Sequence, residues 1–329
     1  MMVSAGWMAL GMALQAPADT GAVLYGAWCS SCHGADGRGV SRPTVRLEVP
    51  AADLADCAIS SAEPEDRWIA IVRDGGASVG LSIDMPAYGD AATPEQLRAV
   101  VRYIRALCGE PGWPPGELNL PRPFLAEKAF PENEVVVAAH GRGQELIYER
   151  RIGRRLQVEG AARTVADSSP EFGGFTAALK YNVWHSLARR ALVSIGLEVT
   201  PPWGRQPLWE VEPFVAYGWN PGGGATVIQG EVLAPWEDTD GWTGGQLRLG
   251  VGQQIGRVVP MLEAGWTVPR EGQQTLALFP QLWVQLSRLG HVAASAGVEL
   301  PVAGPDPHRA RLVAFFLWDY GDGPLHRGW

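Results

Sequence analysis

Phe175-Thr176-Ala177-Ala178-Leu179-Lys180-Tyr181-Asn182-Val183 carries an apolar side chain at every odd position, with Thr176, Lys180 and Asn182 falling between. Successive side chains of an extended strand point to opposite faces, so the run reads as a strand with one apolar face. The rhythm returns in both directions along the chain. Ala191, Val193, Ile195, Leu197 and Val199 alternate with Ser194, Gly196 and Glu198, and Trp209, Val211, Val215, Tyr217 and Trp219 with Glu210, Glu212 and Gly218. Further rows start at Pro260, Leu276, Val292 and Leu312, the last ending in Phe316, Trp318 and Tyr320. Candidates at about 146–163, 225–234 and 244–256, with a short one at 134–140, bring the total to ten or eleven. An even number, ten or twelve, is expected of a closed antiparallel barrel.

Three architectures produce this alternation. A transmembrane β-barrel uses strands of about 9–11 residues, apolar toward lipid and polar inside. A β-sandwich uses strands of about 5–6 residues with the apolar face on a shared core, and a lipocalin-like barrel turns its apolar face inward. Segment length favours the membrane barrel for residues 134–329. Tryptophan agrees: ten of the fourteen lie from Trp184 onward, many at segment ends, as in the aromatic girdles of membrane barrels. Arg150 and Arg154 share parity with an apolar row, so that strand is expected to enter the membrane only after Gly153, or to bulge there.

Upstream, Pro111, Pro114, Pro115, Pro121, Pro123 and Pro131 oppose helix and sheet, and residues 111–133 read as a Pro-rich linker. Residues 19–110 are different in kind, with helical spacing. Thr20 to Ser31 places Val23, Leu24, Ala27 and Trp28 on one stripe. Pro64 to Arg73 turns Trp68, Ile69 and Val72 inward before Gly75. Thr93-Pro94-Glu95-Gln96 is a capping box ahead of Leu97, Val100, Val101, Ile104 and Leu107. At the start of the chain, Val3 to Leu14 is an apolar run too short to span a bilayer, followed by Ala16-Pro17-Ala18, so residues 1–18 read as a signal peptide.

Within the helical segment stands Cys29-Ser30-Ser31-Cys32-His33, the C-x-x-C-H pattern of covalent haem attachment, with His33 as proximal ligand. No second C-x-x-C exists to complete a zinc site. Once the leader is set aside, only Met85 and Met261 remain as methionines, and Met85-Pro86 lies in the same segment. Met85 is the candidate sixth ligand, which would raise the reduction potential and close the iron to peroxide. Cys57 and Cys108 have no haem role by spacing. Haem is attached in an oxidising compartment, so they are expected to pair, closing a loop of about 50 residues worth up to roughly 4 kcal/mol; two separate buried thiols are the alternative.

Gly21 and Tyr25 ahead of Cys29–His33 and Gly34, then Gly37, Gly39, Met85-Pro86-Ala87-Tyr88 and Tyr103, make this segment similar to class I mono-haem cytochromes c. The resemblance covers about a quarter of the chain. It implies crossed first and last helices, with Gly21 and Tyr25 against Tyr103. The second half resembles porin-type outer-membrane barrels by alternation alone, and the combination resembles fused cytochrome–porin electron conduits. That architecture implies one covalent haem c, single-electron transfer with periplasmic carriers or an extracellular donor or acceptor, and an outer-membrane anchor facing the periplasm.

Two other readings stay open: a haem peroxidase, against which Met85 argues, and a solute-binding or transport barrel with the cytochrome as redox sensor or gate. The net charge of −8 divides as −5 over residues 19–110 and −3 over the rest, which disfavours nucleic acid and suits basic carriers or cations. No nucleotide-binding loop, catalytic triad or zinc set stands out. His140, His185, His291, His308 and His326 are isolated in sequence, with His291 able to face a pore. A domain of about 90 residues has a radius of gyration near 12 Å, so it is expected to cap a barrel mouth and not to thread it.

Overall fold

The computed structural model describes residues 19–40, 47, 49–141, 143–166, 170–305 and 309–326. The expected signal peptide, His308 and Trp329 lie outside these residues. Five short α-helices come first: α1 (Asp19–Trp28), α2 (Ser30–His33), α3 (Cys57–Ser60), α4 (Glu65–Asp74) and α5 (Pro94–Ala106). The capping box at α5 forms in full, with Gln96 N–H donating to Thr93 Oγ1 and Thr93 N–H to Gln96 Oε1. Tyr25, Leu54, Val72, Leu97, Val100, Val101 and Ile104 make the small core.

The buried stripe of α1 keeps Leu24 and Trp28 against the core, as its spacing suggests, but not Val23 and Ala27. Val23 is 67% exposed and Ala27 is exposed, while Gly21 and Tyr25 are buried. The reason is the helix crossing. A Cβ at Gly21 would stand 2.4 Å from the Ala99 carbonyl oxygen, so α5 packs directly on the Gly21 backbone and turns the adjoining face inward. Tyr25 and Tyr103 meet there with ring centroids 5.2 Å apart. A disulfide joins Cys57 on α3 to Cys108 just beyond α5.

The remainder is antiparallel sheet: β1 (Glu134–His140), β2 (Gly143–Ile152), β3 (Leu156–Ala166), β4 (Pro170–Ser186), β5 (Ala191–Thr200), β6 (Glu210–Trp219), β7 (Thr226–Leu233), β8 (Trp236–Glu237), β9 (Gly241–Trp242), β10 (Gly244–Gln253), β11 (Val258–Pro269), β12 (Thr275–Gln285), β13 (Val292–Ala303) and β14 (Arg311–Asp319). Neighbours in sequence pair with each other, β7 pairs with β10, and β1 pairs with β14, which closes a ring of twelve. The short β8 and β9 extend one connecting loop. The expected single segment at 146–163 is a hairpin of β2 and β3, turned at Gly153 with φ +62°. Arg150 therefore sits two residues from the end of β2, where outward charge costs little.

The apolar rows face outward. Leu179, Ile195, Leu197, Val215, Val232, Leu249, Leu262 and Leu282 are all at least 40% exposed. The inward rows are polar and buried, with Glu149, Lys180, Asn182, Ser194, Glu231 and Glu263 among them. A sandwich or lipocalin-like barrel would show the reverse, so the outer wall is built for lipid. Trp184, Trp219 and Trp318 ring the end where β1 begins and β14 finishes, called here the near end. Trp203, Trp209, Trp236, Trp242 and Trp266 ring the far end. No helix among the described residues is long and apolar enough to cross a membrane.

Residues 111–133 correct the linker reading. Leu118, Leu120, Arg122, Ala126, Lys128, Ala129 and Phe130 are buried. The segment enters the near mouth, where Leu120 packs with Val227 and Val259. It reaches mid-strand level at Phe124, which stacks on Phe279 and Phe315, and returns to the near end where β1 starts. Proline prevents this segment from joining the sheet, yet leaves it free to run extended inside the ring.

Candidate functional site

The haem-motif residues lie where α1 meets α2. Cys29 closes α1 through its N–H to the Tyr25 carbonyl at 2.9 Å, and His33 N–H reaches the Cys29 carbonyl at 2.9 Å. Cys29 and Cys32 are both half-buried, and neither takes part in a disulfide. Gly34, at φ +75°, ends the turn, and its carbonyl accepts the Tyr25 hydroxyl at 2.7 Å. Burial, with Cys29 beside it, pushes that phenol up to about 12.

His33 Nδ1 lies 3.1 Å from the Ala52 carbonyl oxygen. A carbonyl only accepts, so Nδ1 carries the proton and Nε2 keeps its lone pair for a metal. Burial lowers the imidazole pKa, outweighing the Ala52 contact that raises it, and favours that neutral form. Met85 and Cys29 border the same core cluster, together with Trp28, Trp68, Ile69 and Tyr88. The loop before Met85 is pinned by Gly76 N–H to the Met85 carbonyl, 3.1 Å, and Met85 N–H to the Ser82 carbonyl, 3.3 Å. A Cβ at Gly76 would lie 2.5 Å from the Ser82 carbonyl oxygen, so only glycine permits this approach. Tyr88 stacks on Trp28 at 5.0 Å and donates its hydroxyl to the Trp28 carbonyl at 2.7 Å.

Two cysteines, a ring nitrogen with a free lone pair, a thioether and an apolar lining form a donor set that fits covalent haem. One orphan atom agrees with it: the Trp68 indole N–H is buried with no hydrogen-bond partner. A haem carboxylate would satisfy it. Trp28, Trp68 and Tyr88 are marked in the sequence as inward or motif residues, but the Trp28–Tyr88 stack, the orphan Trp68 N–H and the role of Gly76 show only in three dimensions.

The helical domain meets the near end of the barrel through charge. Arg105 on α5 pairs twice with Glu117, including Nη2 to Oε2 at 2.9 Å. Arg154 and Arg155, in the β2–β3 turn, donate to the Pro111 and Gly112 carbonyls at 2.8 and 3.0 Å. Glu132, Glu134 and Asp319 form an acidic group below, and Lys128 Nζ lies 2.5 Å from Glu132 and 3.0 Å from Glu134, which offsets part of its charge. His291 is buried in the β12–β13 turn against Ser287 Oγ at 3.1 Å, and does not face an open lumen. His140 does point inward, its Nε2 2.6 Å from Glu299.

Residues 16–104 match the family model for cytochrome c oxidase, cbb3-type, subunit III. No curated protein matches the chain. Among solved structures, the chain is similar to the KdgM porin (8% identity, TM-score 0.45, covering 57% of this chain and 98% of that one). It is also similar to an outer-membrane channel from Pseudomonas putida F1 (12% identity, TM-score 0.47, covering 60% and 98%) and to the NanC porin (8% identity, TM-score 0.44, covering 56% and 98%). With the helical segment matched by family and the ring closed by its own strand ladder, the chain is a cytochrome c domain carried on a twelve-stranded antiparallel β-barrel.

Proposed function

We propose that the protein is a single-electron carrier held at the outer membrane by its barrel, with one haem c bound through Cys29 and Cys32 and ligated by His33 and Met85. The observation that carries the reading is that Cys29 of the motif and the pinned Met85 border one apolar core, four residues of chain from a His33 ring that Ala52 orients. When bound there, haem c supplies a one-electron iron couple. The chain's own contribution is to fix the His33 tautomer, hold the Met85 thioether at the edge of the apolar core, and keep water from that core. A filled sixth position favours electron transfer over peroxide chemistry. The near end, which carries the cytochrome domain, faces the periplasm in this reading, and the domain's net charge of −5 suits a basic redox carrier.

The test is a haem-stained gel of membrane fractions. One band that stains for haem and shifts on boiling supports the reading; absence of covalent haem rejects it. Met85→Ala is expected to lower the potential within the roughly 0.8 V that axial ligation commands and to create peroxidase turnover. An unchanged potential in spectroelectrochemistry would remove Met85 as ligand.

A further inference from the structure

A ring of twelve strands lies between barrels of about eight, filled by their own side chains, and those of 16–18 that hold an aqueous channel. What occupies this lumen is main chain. Three consecutive amides, of Phe124, Leu125 and Ala126, donate to the Glu263 carboxylate of β11 at 2.6, 2.9 and 3.4 Å. The Glu127 amide donates to Glu231 of β7 at 3.2 Å, and the Glu132 amide to Gln157 of β3 at 2.7 Å. The carbonyls are met as well. Gln229 donates to Pro121 at 2.7 Å, Arg248 to Leu125 at 3.0 Å, Lys180 to Lys128 at 2.6 Å, and Ser194 to Ala129.

Buried backbone groups must find partners, and an extended segment outside the sheet has none of its own. Here inward side chains of β3, β4, β5, β7, β10 and β11 supply them. Charge is matched too. Arg122 pairs with Glu134 of β1 at 3.1 Å and with Glu149 of β2, and Lys180 of β4 pairs with Glu127 at 2.5 Å. Phe124 fills the remaining sector between Phe279 of β12 and Phe315 of β14. The wall is thus built around this segment, residue by residue.

We propose that residues 116–133 are a resident plug that closes the barrel to solutes at mid-height. Beside Phe124 the lumen holds a cleft of about 300 Å³, lined by His140, Glu145, Arg163 and Phe315, and one of about 230 Å³, lined by Glu159, Glu198, Glu212 and Arg248, and both end on plug residues Arg122 to Phe124. The barrel is a sealed anchor and each cleft a blind vestibule. This assignment is independent of the haem reading.

The experiment is conductance of the holoprotein in planar bilayers. Wild type is expected to show no ohmic steps. A variant in which residues 118–130 are replaced by a Gly/Ser chain of equal length is expected to show them, with its boiled-versus-unboiled gel shift proving the barrel. Ohmic steps in wild type, or a folded replacement variant as silent as wild type, overturns the proposal. Should the replacement fail to fold, A129C decides, because Ala129 is 1% exposed inside the ring. Protection of that thiol from a membrane-impermeant maleimide supports the plug, and labelling at the rate of an exposed cysteine rejects it.

Discussion

At the scale of single residues, Gly21 and Glu117 carry the most testable consequences. Gly21 has no room for a side chain beneath Ala99 and Tyr103. Gly21→Val is therefore expected to force α1 and α5 apart, destabilising the cytochrome domain by about 1–3 kcal/mol, and denaturant unfolding followed in the haem absorption band measures it. Glu117 is part-buried, which raises its pKa, but hydrogen bonds and charge from Arg105 outweigh this and hold it below the ordinary carboxylate range. A group whose folded pKa is depressed contributes stability above the unfolded value, about 4.3 for Glu, and loses it as pH falls through the folded value. The domain's stability is thus expected to drop as pH falls below about 4 in wild type. Glu117→Gln should flatten that part of the profile, and a profile of unchanged slope would show that the pair does not link folding to pH.

At the scale of elements, the strands were legible because period two survives in a two-sided wall. Val215 and Leu197 belonged to apolar rows in the sequence, and both are exposed on the outer face of the ring. Val215 stands mid-strand in β6, far from either aromatic ring, so Val215→Arg is expected to cost about 2–4 kcal/mol in a lipid bilayer. Equilibrium refolding into vesicles checks it, and a cost near zero would place this face against protein or water. The α1 stripe was half right: Leu24 and Trp28 border the core, whereas Val23 and Ala27 face outward. Helical spacing passes over Gly21, which has no side chain to count, and it was the resemblance to class I cytochromes c that set Gly21 and Tyr25 against Tyr103. The turn at Gly153 was likewise obscured because β2 and β3 are separated by only three residues, Gly153, Arg154 and Arg155.

At the scale of the whole molecule, two structures built on different physics share one chain. The helical domain depends on a small core around the haem motif, whereas the barrel closes through its own ladder and its plug. The plug's partners are mostly lumen side chains, and it is tied to the helical domain at its start, by the Gly116 N–H to the Ser61 carbonyl at 2.7 Å, the Arg105–Glu117 pair and the Glu65 amide to Glu117 at 3.1 Å. A doubly substituted Cys29→Ala, Cys32→Ala protein is therefore expected to lose the haem stain while keeping the boiled-versus-unboiled shift of the barrel. Loss of both together would mean that the barrel needs the filled cytochrome domain in order to assemble.

Motif spacing and period two are local properties of the chain, so residue order alone raised the haem expectation at Cys29, Cys32, His33 and Met85 and marked which face of each strand is apolar. It also offered a weak sign of the plug. Leu118, Leu120, Phe124 and Ala126 keep an alternating parity through a proline-rich stretch, which reads equally well as a linker. Only the tertiary structure decided that this stretch turns back inside the ring. Its hydrogen-bond partners, Glu263, Glu231, Gln157 and Lys180, lie between 25 and 139 residues away along the chain, and no local pattern records that distant side chains will satisfy a backbone which proline keeps out of the sheet.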